Sequence, residues 1–257
     1  MKRIMLITTA TVFLISICVA VSVQAYVIND TYWGGKPSSG ANADIIGTYN
    51  QFGINTMTVT QSGSILTVDI NGPFFSAYMV NDVYNMQLGS LFLSTSGWHP
   101  YGAGPTYGSD TALNTGTNWA YAFVLNGKND ATSGIGSLYS VGSSGIILTN
   151  TTGIKGAGPD PRWKEDQLYR YAPGKSQTAL GSGGTWSISG NDLIMTFDIS
   201  PLSGNLAFDW TMQCGNDVIE GAAPLTVVPE PSTFVLLGSG LAAIGLFGLR
   251  RNRKASN

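Results

Sequence analysis

Polar and apolar side chains alternate through residues 54–60, with Met57 and Val59 on one face and Thr56, Thr58 and Thr60 on the other. The alternation breaks at Gln61-Ser62-Gly63 and resumes through 65–70, with Leu66, Val68 and Ile70 in phase. A period of two marks a strand with one face on a core, and two such runs around a glycine turn predict a hairpin. A second hairpin is predicted from 185–189 and 192–199, turning at Gly190-Asn191. Ser200-Pro201-Leu202-Ser203-Gly204 then separates a further strand over 205–212. Apolar or aromatic runs at 74–80, 88–94, 119–125 and 145–149 are bounded by Gly and Asn and read as more strands. No long 3.6-residue period occurs in this region; the closest approach is 163–171.

About ten to twelve short strands with glycine-rich turns predict an all-β body. The expected architecture is a single β-sandwich, jelly-roll or lectin-like, over residues 26–224. Two small β domains meeting in the Gly/Ser-rich stretch 126–145 are the alternative.

The pattern changes at both ends. Lys2-Arg3, the apolar run 4–23 and Val23-Gln24-Ala25 have the order of a secretory signal peptide, with cleavage expected between Ala25 and Tyr26. A retained N-terminal anchor is the alternative. At the other end, residues 225–231 form an extended linker ending in Pro229-Glu230-Pro231, since each proline disfavours helix at the residue before it. Residues 232–249 are 18 positions without a charge. At ~1.5 Å per residue they span ~27 Å, about one hydrocarbon core. Residues 250–257 follow as a basic tail in which Arg250, Arg251, Arg253 and Lys254 resist translocation and stay cytoplasmic. With both basic ends held inside, the body lies on the far side of the membrane. A plain tail anchor, never processed, accounts for the same physical features.

Charge reinforces that division. The net charge is −2, but six of the 13 bases lie in the two ends, which leaves seven against fourteen acids in the body. An acidic body excludes nucleic acid as a partner, because phosphates need a basic face. Only 11% of residues are charged and 33 are Gly, a composition of turn-rich β proteins rather than helical cytosolic enzymes. Removal of the first segment takes Cys18 with it, so Cys214 has no partner for a disulfide and reads as a small buried apolar residue.

Val228-Pro229-Glu230-Pro231-Ser232-Thr233, the glycine-rich apolar span and the arginine-rich tail together resemble the PEP-CTERM sorting domain. The resemblance covers roughly residues 228–254. It implies that the chain is a substrate of an exosortase, a membrane-embedded, transpeptidase-like cysteine enzyme of Gram-negative bacteria that make exopolysaccharide. It further implies cleavage near Pro229-Glu230-Pro231, with Glu230 as a recognition residue, after secretion by the export machinery and signal peptidase and transient residence in the inner membrane. The phrases 88–98, 119–123 and 208–221 also resemble a group of exosortase-dependent surface proteins without an assigned chemistry.

The residues offer little catalytic chemistry. His99 is the one histidine, and reads as a turn residue; no HExxH, CxxC, phosphate loop or GxSxG occurs. Glu165 and Glu220 are the body's only glutamates and could form a glycosidase pair, though solvated loop carboxylates are the simpler reading. Asp160, Glu165 and Asp166, and again Asn216, Asp217 and Glu220, form oxygen-rich loops of the kind that hold structural calcium. No cofactor is otherwise expected. Tyr32-Trp33-Gly34-Gly35, Trp98-His99-Pro100-Tyr101 and Trp163 could stack on sugars, whereas Trp186 and Trp210 belong to the core. The expectation is an exported, non-enzymatic surface or matrix protein of the biofilm, associated with exopolysaccharide. A polysaccharide-active enzyme or lectin with the same anchor is the alternative.

Overall fold

The two predicted hairpins pair with each other. The structure, a computed structural model, describes residues 23–35, 44–45, 48–80, 86–128, 131–142, 144–149, 164–226 and 238–240. The chain divides into two compact units, Gln24–Val227 and Met1–Val23 with Val228–Asn257. The first unit holds the fold that follows.

Strands β2 (Thr56–Ser62) and β3 (Ile65–Asn71) form the first hairpin, with Ser62 opposite Ile65. Strands β9 (Leu180–Ser189) and β10 (Asp192–Asp198) form the second, with Ser189 opposite Asp192. Gly63 and Gly190 each take the first central turn position at φ +61°, the left-handed value that a two-residue connection of type II′ requires. β10 then pairs with β3 along its whole length, from Asp192 opposite Asn71 to Asp198 opposite Ile65.

The remaining strands are β1 (Val23–Asn29), β4 (Leu91–Ser94), β5 (Tyr121–Leu125), β6 (Ser133–Ser140), β7 (Ile146–Leu148), β8 (Leu168–Tyr171), β11 (Asn205–Thr211) and β12 (Val218–Thr226). Ten of the twelve join one sheet in the order β1-β2-β3-β10-β9-β6-β5-β4-β11-β12, and β7-β8 stand as a separate pair. Every neighbouring pair from β2 round to β12 is antiparallel. The body is all-β, as the alternation predicts, and the sheet curls until it is nearly barrel-like. Its two ends approach each other: Ile28 of β1 lies against Gly221 of β12, where a Cβ would meet the Ile28 side chain.

The inner face collects one residue in two from each strand: Met57 and Val59, Leu66, Val68 and Ile70, Leu193, Met195 and Phe197, Leu91 and Leu93, Phe123 and Leu125, Phe208 and Trp210. Each such side chain, taken fully out of water, contributes about 1.5–3 kcal/mol. The outer face of the two hairpins is polar, with Thr67 and Thr196 in hydrogen-bonding contact at 3.2 Å.

Two segments depart from the sequence reading. Residues 74–80, read as a strand, form the helix Pro73–Val80. Pro73 at its start has φ preset for helix and no N–H to satisfy. Phe74 meets Tyr78 one turn on at 5.9 Å, and Phe74 and Phe75 both pack on Trp210. The Gly/Ser-rich stretch 126–145, read as a place where two domains could meet, instead contains β6, inserted between β5 and β9 in the middle of the sheet. Its glycines have a packing role. Gly136 faces Gly184 across the β6–β9 ladder, and over them Phe123 stacks on Phe197 at 4.3 Å and 14°. A Cβ at Gly136 would enter the Phe123 ring, and one at Gly184 would meet the Thr196 carbonyl and Phe197.

That close approach makes Gly136→Ala and Gly184→Ala overpacking substitutions. Each is expected to lower the unfolding free energy by about 1–3 kcal/mol in urea titration. Gly63→Asn, at a turn where nothing lies within 4 Å of the missing Cβ, is expected to cost less.

Candidate functional site

Strand β11 is buried on both faces. Leu206, Phe208 and Trp210 enter the inner core. Ala207 enters a second, outer core with Phe92 of β4, Ala122 of β5, Leu168 and Tyr171 of β8, and Trp119. Leu148 of β7 and the loop residues Trp98 and Ala112 complete that layer. The β7-β8 pair and the loop after β4 therefore cover part of the sheet's outer surface.

Under this cover lie two carboxyl groups. Asp209 and Glu220 stand directly opposite each other in the β11–β12 register, and are only 1% and 5% exposed. Trp98 donates its indole N–H to Glu220 Oε1 at 2.6 Å. Tyr32 donates its hydroxyl to Asp110 Oδ2 at 3.1 Å, and Asp110 itself is wholly buried. Tyr32, Trp98 and Tyr107 form a ring cluster with centroids 5.2–6.4 Å apart above the acids. Burial, then the charges of Asp209 and Asp110, holds the Glu220 carboxyl well above the usual carboxylate range. Burial does the same to Asp209, partly offset by its hydrogen bond with Glu220. Two adjacent buried carboxyls cannot both ionise, so the pair retains a proton at neutral pH.

This overturns the reading of Glu220 as a solvated loop carboxylate: it sits inside β12 and faces the outer core. Glu165, its suggested catalytic partner, is exposed, so the two carboxyls lie in opposite environments. Tyr32 and Trp98, considered as sugar-stacking rings, are instead tied to the buried acids. Tyr101 is 55% exposed and Trp33 is half-buried, while Trp163 and Asp160 lie outside the described residues. Trp186 and Trp210 are core, as expected.

A second acidic group forms where the ends of the sheet approach. Asp30, just after β1, Asp44, and Asp217, just before β12, bring carboxylate oxygens within 4.8 Å of one another. The backbone N–H of Ile54 donates to Asp217 Oδ2 at 2.6 Å. Asp217 Oδ1, both oxygens of Asp30 and Asp44 Oδ1 are buried without a hydrogen-bond donor. Burial, with the neighbouring carboxylates, pushes Asp30 up to about 10 and Asp217 up to about 7. Lys164 is fully buried nearby and gives its ammonium hydrogen to the Trp33 carbonyl.

Cys214 is buried, and burial pushes its thiol up to about 12, which fits a small apolar residue and not a nucleophile. His99 is exposed and its ring Nε2 lies 3.1 Å from the Ser96 carbonyl, a turn contact. One further concavity of about 450 Å³ is lined by Lys128, Arg170 and Tyr171 among others. Its two basic residues differ in exposure: Arg170 is half-buried, whereas Lys128 is buried and gives its ammonium hydrogen to the Leu88 carbonyl. Sequence reasoning missed them, because Lys128 and Arg170 are 42 positions apart and meet only when β5 and β8 pack.

The fold and these clusters define an all-β body with sealed acidic groups. The part of the chain that identifies its fate lies beyond it. A family model of the PEP-CTERM protein-sorting motif matches residues 227–254, beginning one residue after β12 ends at Thr226. The chain therefore carries a PEP-CTERM sorting signal, recognised by exosortase, and is exported and sorted to the cell surface. No curated protein and no solved structure matches the chain. Pro229, Glu230, Pro231, Arg250, Arg251, Arg253 and Lys254 lie outside the described residues, as does the span 232–249 except for a helical turn at 238–240. Among the described residues no helix is long and apolar enough to cross a membrane. Ala25 and Tyr26 fall in β1, whose residues before Ile28 are exposed or half-buried.

The buried carboxyls set a pH dependence. The folded chain keeps on the Asp209–Glu220 pair a proton that the unfolded chain releases near pH ~4. Stability is therefore full below that pH and falls as pH rises toward the folded values, by up to about 1.4 kcal/mol per pH unit for each retained proton. Asp30, Asp44, Asp69, Asp110 and Asp217, also raised, act in the same direction. Lys128, lowered to about 7 by burial and by Arg170, acts oppositely only above that value. Urea unfolding is expected to show lower stability at pH 7 than at pH 5, and Glu220→Gln is expected to reduce that slope.

Proposed function

We propose that the chain is secreted by a signal peptide cut between Ala25 and Tyr26, and then cleaved near Pro229-Glu230-Pro231. Its body then acts as a non-catalytic component of an exopolysaccharide-rich surface layer or matrix. The observation that carries this reading is the junction at Thr226: the last strand passes directly into the sorting signal. Removal of residues 1–25 takes Val23, Gln24 and Ala25 from an edge strand and leaves Ile28, the buried residue of β1, in place. The sealed environment of Asp209 and Glu220 supports a body without glycosidase activity, since both catalytic carboxyls of such an enzyme must reach the sugar. The concavity beside Arg170 supports association with a polysaccharide that carries carboxylate groups, which bidentate arginine contacts suit.

Intact mass spectrometry of the native protein is expected to give a species that begins at Tyr26 and lacks residues 232–257. Glu230→Gln is expected to retain the tail and hold the protein in the inner membrane; a wild-type mass that includes the tail contradicts the processing step. The purified protein is expected to co-sediment with the acidic exopolysaccharide of its host, and Arg170→Ala to weaken that binding about tenfold, as loss of a charge-assisted contact does. Release of reducing sugar that disappears in Glu165→Gln or Glu220→Gln would overturn the non-catalytic assignment.

A further inference from the structure

The triad of Asp30, Asp44 and Asp217 is built from three separate pieces of chain that meet at the seam of the curled sheet. Asp30 leaves β1, and its backbone N–H donates to the Asn55 carbonyl at 3.0 Å, just before β2. Asp217 enters β12 and accepts the Ile54 N–H at 2.6 Å, which fixes its carboxyl plane and commits Oδ2. Its other oxygen is left with no donor, although the residue is 0% exposed. An orphaned, fully buried carboxylate oxygen is costly unless something positive completes it. Both oxygens of Asp30 and one of Asp44 are in the same condition.

Size and charge narrow what completes them. All three ligand oxygens lie within 4.8 Å of one another. Calcium–oxygen bonds of about 2.3–2.6 Å put opposite ligands about 4.6–5.2 Å apart, so this spread fits around one Ca²⁺. The donor set is oxygen only, the choice of a hard cation and not of zinc or copper. Lys164 is the cation that neighbours all three carboxyl groups, and a divalent cation supplies the further positive charge they need when ionised. Lys164 already directs its ammonium to the Trp33 carbonyl.

We propose that Asp30, Asp44 and Asp217 form a calcium site that clamps the β1–β2 end of the sheet to the β12 end. The ion joins segments that otherwise approach mainly through Ile28 and Gly221 and the Ile54–Asp217 hydrogen bond. The assignment is independent of any polysaccharide binding and concerns a different part of the molecule from the Lys128–Arg170 concavity.

Equilibrium dialysis of the full chain against Ca²⁺, with thermal melting in parallel, tests the site. The expected result is saturable uptake of one Ca²⁺ with a dissociation constant on the order of 10⁻⁴ M, as extracellular calcium modules show, and a higher melting temperature on loading. Asp44→Asn is the informative variant, because Asp44 is only part-buried and supports no strand. It is expected to weaken uptake about tenfold or more and to abolish the calcium-dependent rise, while melting no lower than wild type without calcium. Asp217→Asn is expected to lose uptake as well. Asp69→Asn, on the outer face of β3, is expected to leave uptake unchanged. Absence of saturable uptake up to about 10 mM, uptake unaffected by Asp44→Asn, or equal affinity for Mg²⁺ would each overturn the assignment.

Discussion

Strand β11 sends Phe208 and Trp210 into one core and Ala207 and Asp209 into another, so it has no wet side. A sheet with one buried face needs only alternation. A sheet with a strand buried on both faces also needs a second covering layer, here supplied by β7-β8 and the long loop after β4. That layer imposes the main constraint on the molecule, because it seals Asp209 and Glu220 away from water. Trp98 gives Glu220 a hydrogen-bond donor there, while Asp110 adds a third buried carboxyl, held by the Tyr32 hydroxyl.

The same logic divides the acidic groups into two kinds. Asp209 and Glu220 face each other across one ladder and resolve their repulsion by holding a proton. Asp30, Asp44 and Asp217 come from different segments, and four of their oxygens have no donor. The first arrangement leaves one acceptor, Asp209 Oδ1, without a donor. The second is a cage of unmet acceptors at the one place where the sheet has not quite closed on itself. Both acid groups are buried, whereas the concavity beside Arg170 is open and carries the opposite charge.

How much of this was legible depended on how many faces of a strand are buried. The hairpins β2–β3 and β9–β10 have one wet face, so Met57, Val59, Leu66 and Val68 announced themselves by alternation, and their turns by Gly63 and Gly190. β12 does not alternate, because Glu220 and Ile219 are both buried, and so a strand residue looked like a loop carboxylate. β6 was hidden for a different reason. Its glycines exist to admit the Phe123–Phe197 stack, yet in one dimension they have the composition of a linker. The helix Pro73–Val80 was hidden by its aromatic content, which suits a strand equally well, although Pro73 marked a helix start. The sorting signal was legible because it is local: two prolines around a glutamate, an apolar span and a basic tail need no folding to be recognised. The acid triad and the basic concavity were not, since their members are scattered along the chain and meet only through tertiary packing.

The junction at Thr226 has a mechanical consequence. If the chain is tethered through its C-terminus, any drag on the body enters at the last residue of β12, opposite Asn205 at the start of β11. The load falls first on the β11–β12 ladder, and halfway along that ladder sits the proton shared by Asp209 and Glu220. Local acidity would then set how firmly the terminal strand resists being peeled away, so that the same protein would grip harder in an acidified, crowded layer than in open neutral water.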